Sequence, residues 1–167
     1  HVTFEMSITG YASFSGGPSC HGPPVGANWE ISDNCVIMDN QTLTVSQGYD
    51  LIIDSGAHVT FDNCTVSFSP AADGGDRILI HDLANVAFVD STVQSSNANK
   101  FAIMVADTGT VYNSTNSSYD LVQEIDLDVP VTNFVDNTVT NAYACLEMKP
   151  GSSNSRIDSL TCGASDF

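Results

Sequence analysis

Along this chain apolar and polar residues alternate in short runs, as in VTFDNCTV (59–66) and VAFVDSTV (86–93). Period-two alternation bounded by Asn, Asp and Gly predicts half-buried β-strands joined by tight turns. The runs also repeat. VIMDNQTL (36–43) and VTFDNCTV share an Asp-Asn-x-Thr-aliphatic pattern 23 residues apart. VAFVDSTV follows after 27, then VYNST (111–115), FVDNTV (134–139) and IDSLTC (157–162) at intervals of 23. The anchoring residues are Thr42, Thr65, Thr92, Thr115, Thr138 and Thr161, and SPAADGGD (69–76) reads as a loop insertion in the long interval.

Columns counted from each threonine predict a core. Four positions before it stand Met38, Phe61, Phe88, Val111, Phe134 and Ile157. One position after it stand Leu43, Val66, Val93, Asn116, Val139 and Cys162, and ten after it, allowing for the four-residue insertion before Leu79, stand Ile52, Leu79, Ala102, Ile125 and Met148. Three inward columns in a coil that returns every 23 residues predict an all-β parallel β-helix of about six coils, ~28 Å long at ~4.8 Å per coil. Two positions before each threonine, Asn40, Asn63, Asp90, Asn113, Asp136 and Ser159 mark a turn column, since Asn and Asp tolerate left-handed backbone.

The pattern V-x-F-x-[ND]-x-T-V, preceded by LTVSQGYDLIIDSGAHVTF, resembles right-handed parallel β-helix proteins of the pectin-lyase-like superfamily. It is similar above all to the versions common in cell-surface proteins of methanogenic archaea. The resemblance spans roughly residues 29–162 and implies a right-handed solenoid. For a small acidic, cysteine-containing member it implies a sheath or surface-layer subunit, and because the motif is structural it specifies fold far better than activity.

Two segments are expected: residues 1–28 as an N-terminal cap or assembly arm, and 29–167 as the β-helix. In HVTFEMSIT, Val2, Phe4, Met6 and Ile8 alternate with polar residues, a strand that either covers the first coil or pairs with a neighbouring molecule. Gly- and Pro-rich loop follows over 10–28. With no helix to cover the last coil, self-association is the expectation. His1 in place of Met suggests a removed signal peptide. No apolar run approaches the roughly 18 residues of a membrane-spanning helix.

Of 24 charged residues 20 are Asp or Glu, giving a formal charge of −16, which argues against a nucleic-acid partner. At 42% hydrophobic residues the acidity is not a mark of disorder. Five cysteines suit an oxidising, extracellular compartment. A Cys20–Cys35 bridge would close the loop between them, with a gain of about 3 kcal/mol, and Cys145 and Cys162 are spaced to staple the last turn. Cys64 occupies a variable, outward-reading position, a candidate for an intermolecular disulfide or a free thiol.

Asp39 and Asp62 on adjacent coils, and Glu124, Asp126 and Asp128 alternating along QEIDLDV, are candidate Ca²⁺ ligands; the alternative is solvated surface charge. Sequons stand at Asn40, Asn63, Asn113 and Asn116; three fall on the repeat, leaving Asn116 as the glycosylation candidate. A polysaccharide lyase would need clustered basic residues, but Arg77, Lys100, Lys149 and Arg156 are scattered. A glycoside hydrolase needs only two carboxylates ~5–9 Å apart, so a carbohydrate-active enzyme and a glycan-binding module remain alternatives. His1 with His21, His58 or His81 resembles the copper brace of lytic polysaccharide monooxygenases, without their other motifs. The reading is an extracellular, non-enzymatic structural protein that partners itself in an envelope layer, sheath or filament.

Overall fold

The computed structural model describes residues 13–38, 42–128, 131–149 and 155–164. The expected assembly strand (Val2, Phe4, Met6, Ile8), Asp39, Asn40 and Gln41 lie outside them.

Strand β1 (Ser13–Gly16) precedes the coils. The first coil is β2 (Trp29–Ile31), β3 (Cys35–Met38) and β4 (Thr42–Thr44). The second is β5 (Leu51–Ile53), β6 (His58–Asp62) and β7 (Thr65–Phe68), and the third β8 (Arg77–Ile80), β9 (Asn85–Val89) and β10 (Thr92–Ser95). The fourth is β11 (Phe101–Val105), β12 (Val111–Thr115) and β13 (Ser118–Asp120). The last two are β14 (Val122–Leu127), β15 (Val131–Val135) and β16 (Thr138–Ala142), then β17 (Glu147–Met148), β18 (Arg156–Asp158) and β19 (Thr161–Ala164). The first strands of the coils pair in parallel as sheet I, the second as sheet II and the third as sheet III, with β1 antiparallel at the edge of sheet II. The fold is the expected all-β parallel β-helix. Six rungs enclose about five turns, slightly fewer than the six expected.

The core is columnar. Inside sheet I stack Ile31, Ile53, Ile80, Val105 and Leu127; inside sheet III stack Leu43, Val66, Val93, Tyr119 and Val139. Inside sheet II, Ile37, Phe61 and Phe88 are in register, with the rings of Phe61 and Phe88 stacked 4.6 Å apart.

Several expected columns are displaced, each for a reason of parity or length. Ile37, not Met38, lies over Phe61, because the first coil has one more residue between sheets II and III; Met38 points outward and is exposed. Ile52 and Leu79 face outward, because in the runs LII and RILI their neighbours Leu51, Ile53, Ile78 and Ile80 take the inside. Ala102 pairs with Arg77 and Glu124 on that outer side, and Met148 follows Leu127 in the inner column but is half-exposed on the last coil.

The largest displacement is in the fourth coil. Ser118, not Thr115, aligns with Thr92 and Thr138; Tyr119 replaces Asn116 in the inner column, and Ser114 replaces Val111 between Phe88 and Phe134. The slip is absorbed downstream, where Leu121 alone, in left-handed backbone (φ 59°), joins β13 to β14.

A serine in a phenylalanine column leaves space, and two tyrosines fill it. Tyr112 and Tyr119 are fully buried, pack on Phe88 and Phe134, and bring their hydroxyls together 2.8 Å apart. Tyr119 O–H lies 2.6 Å from Ser114 Oγ, which donates to Asn137 Oδ1 at 2.9 Å; Asn137 Nδ2 donates back to Ser114 O at 2.9 Å. The hydroxyls of Tyr112, Tyr119 and Ser114 and the amide of Asn137 thus all have partners, as low dielectric requires.

The N-terminal end of the solenoid is covered. β1 and the following loop lie over the first coil, Trp29 and Ile31 are fully buried, and Trp29 Nε1–H donates to His21 O at 2.7 Å. β1 approaches so closely that a Cβ on Gly16 would lie 2.0 Å from Asn34 O, so only glycine fits. Asp33 accepts Ser19 N–H at 2.9 Å, a bond that holds its carboxyl below the usual range.

Burial raises both core tyrosines, Tyr112 well above its ordinary value and Tyr119 to about 12. Groups raised in the folded state stabilise it below their unfolded value, near 10, and that contribution is lost as pH climbs. In a spectrophotometric titration, tyrosinate absorption from Tyr112 and Tyr119 is therefore expected to appear together with loss of the far-UV β-signal. Ionisation of all five tyrosines with the β-signal intact would contradict the packing.

Candidate functional site

The turn from sheet II to sheet III recurs from the second coil to the sixth and sets the positions of the cysteine, the sequons and several carboxylates. Its central residue is left-handed: Asn63 (φ 54°), Asp90 (49°), Asn116 (48°), Asp136 (55°) and Ser159 (53°). A left-handed residue aims two successive amides at the next coil. Asp90 N–H reaches Thr115 O at 3.1 Å, and Ser91 N–H, the second, meets a side chain, Ser117 Oγ, at 3.1 Å. The same happens one coil earlier, where Cys64 N–H donates to Ser91 Oγ at 3.1 Å, and one coil later, where Ser117 N–H donates to Asn137 Oδ1 at 2.9 Å. These side chains are buried and return their own protons to carbonyls: Ser91 to Val89, Ser117 to Thr115, Asn137 to Ser114.

Cys64 belongs to this ladder. It is a buried thiol outside both disulfides, facing Ile37 O and Asp62 O at 3.2 and 3.3 Å, not the outward residue expected, so it is not presented to another molecule. The other four cysteines form Cys20–Cys35, which fastens the N-terminal cap to β3, and Cys145–Cys162, which ties the loop before β17 to β19. Such bonds persist in oxidising compartments.

The displaced fourth coil also exchanges two sequons. Asn116 is the turn residue, and its Nδ2 donates to Asp90 Oδ1 at 2.6 Å. Asn113 sits in β12 and accepts from Asn133 Nδ2 at 2.8 Å on the outside of sheet II. Asn63 occupies the turn as expected.

Of the expected Asp39–Asp62 pair only Asp62 falls among the described residues. Asp62 lies beside Met38 and Val89. Glu124 and Asp126 share the outer face of β14, but Asp126 is buried and paired with Lys149 Nζ, while Asp128 has passed the strand end into the turn. Lys149 is raised chiefly by that bond to Asp126. The basic residues act as local counterions: Arg77 Nη2 lies 2.9 Å from Asp50 and Arg156 Nη2 3.0 Å from Asp158.

Sequence reasoning overlooked Asp76. At the end of the 69–76 insertion it is fully buried and accepts Gly48 N–H at 3.0 Å. Burial raises its carboxyl, the charge of Asp50 adds to this, and backbone hydrogen bonds from Gly48 and Ser69 oppose it. The signal was a lone Asp closing a Gly-rich loop. Among the described residues no helix is long and apolar enough to cross a membrane.

Compared with known proteins, the chain matches no family model, no curated protein and no solved structure.

Replacing Cys64 by Ser, the residue of the next two coils, is expected to leave denaturant stability nearly unchanged. Ser91→Ala orphans the buried Cys64 N–H and is expected to lower stability by about 1–3 kcal/mol. Equal effects of the two substitutions would contradict the ladder. Asp76 binds its proton more tightly folded than unfolded, so its contribution is present at low pH and lost as pH rises through its folded value. Asp76→Asn is accordingly expected to raise the melting temperature at pH 7 by about 2 °C or more, with the difference closing towards pH 3; a lower melting temperature at pH 7 would contradict the burial argument.

Proposed function

We propose that this protein is a secreted structural β-solenoid that associates with itself in an extracellular layer, sheath or filament, and that it works by assembly rather than catalysis. The observation that carries this reading is the asymmetry of the two ends. The first coil is closed by β1, the 17–28 loop and Cys20–Cys35. On the last coil β17, β18 and β19 have no further strand over them among the described residues, and Tyr143, Met148 and Ile157 are 61%, 42% and 39% exposed. Unpaired strand edges with apolar side chains favour pairing with another chain. The Cys145–Cys162 bond keeps this end in shape, and both disulfides suit an extracellular setting. The likeness to methanogen cell-surface β-helix proteins belongs to the same proposal.

Sedimentation velocity of the 167-residue chain over a hundredfold concentration range tests it. Reversible growth in size is expected, and a double substitution Met148→Asp/Ile157→Asp is expected to leave a folded monomer. A wild-type monomer throughout, or association unaffected by the double substitution, would overturn the reading.

A further inference from the structure

At the turn from sheet I to sheet II, three potential ligands converge outside the features above. Asp54 follows β5 and His81 follows β8, and since Ile53 and Ile80 are register partners, the two residues stand side by side on adjacent coils. Their backbones are pinned: Asp54 N–H donates to Ile31 O at 3.3 Å, His81 N–H to Ile53 O at 3.1 Å. Asp82 takes left-handed backbone (φ 52°), accepts Gly56 N–H at its carbonyl (2.8 Å), and places Oδ2 3.2 Å from His81 Nδ1. One ligand atom from each of Asp54, His81 and Asp82 lies within 4.8 Å of the other two. Asp107 of the following coil adds a fourth acidic group, its Oδ2 accepting Asp82 N–H at 3.2 Å.

The charge around these residues is unbalanced. Arg77, Lys149 and Arg156 are paired with Asp50, Asp126 and Asp158 elsewhere. The fourth basic residue, Lys100, lies at the opposite turn, where its N–H binds Asp73. Among the described residues, the ion-pair partner of Asp82 at this corner is His81. An imidazole with two carboxylates on a rigid backbone is a mixed nitrogen–oxygen donor set, which suits Zn²⁺ and neighbouring divalent transition ions better than the all-oxygen shell of Ca²⁺. We propose that Asp54, His81 and Asp82 form a binding site for a zinc-class divalent cation that bridges the second and third coils.

Binding of Zn²⁺ to the full chain by isothermal titration calorimetry, paired with thermal melts, tests the site. One equivalent is expected to bind and to raise the melting temperature, because the ion bridges two coils only in the folded state. His81→Gln and Asp54→Asn are each expected to weaken binding at least about tenfold, while His58→Gln, on the outside of sheet II, leaves it unchanged. Zinc-induced shifts of the His81 ring nitrogens in wild-type NMR spectra give a readout independent of any variant. No binding, binding that survives His81→Gln, or an unshifted His81 ring would overturn the proposal.

Discussion

The turn between sheets II and III carries a constraint on which the regularity of the solenoid depends. A parallel coil can bend there in one residue only by entering left-handed backbone, and that leaves an amide aimed at the next coil with no carbonyl to meet it. Ser91, Ser117 and Asn137 supply the missing acceptors from inside. Each is placed by the same turn one coil later, so the third, fourth and fifth coils each complete their predecessor. The ladder stops at Leu160, which has no side-chain acceptor, and that is the coil over which no further strand lies among the described residues.

Packing follows from this alignment. Once the turns are in register, the inner columns stack aliphatic on aliphatic and ring on ring, and exceptions must compensate locally. Ser114 would leave a void under Phe88, and voids in cores cost stability in proportion to their volume. Tyr112 and Tyr119 fill it and satisfy their hydroxyls through Ser114 and Asn137, joining the aromatic core to the ladder. Acidic residues on the outer faces and turns meet cations there, Asp50, Asp126 and Asp158 with Arg77, Lys149 and Arg156, while Asp82 meets His81 beside Asp54.

The parallel β-helix was legible because its signal is repeated: a polar turn residue, a threonine and an aliphatic residue return at nearly fixed spacing. The errors fell where one coil departs from the average. NSTNSS offers two overlapping registers, and threonine identity favoured Thr115; yet Tyr119 after Ser118 is apolar, whereas Asn116 after Thr115 is not, and burial decides the register. Ile52 and Leu79 were misplaced because three apolar residues in a row carry no parity. Cys64 read as outward because its column varies, although Cys, Ser and Asn share a short side chain able to hydrogen-bond, the property that the inward ladder uses. The cysteine pairs Cys20–Cys35 and Cys145–Cys162 were visible from spacing along the coil. Asp54, His81 and Asp82 were not, since the turn that gathers them has no fixed residue type.

The ladder is tested most directly by native-state hydrogen exchange read residue by residue. The amides of Cys64, Ser91 and Ser117 are expected to exchange only through global unfolding, as slowly as those of Phe61 and Phe88 in the strands beside them. Exchange of these three amides at the rate of exposed turn residues would contradict the account.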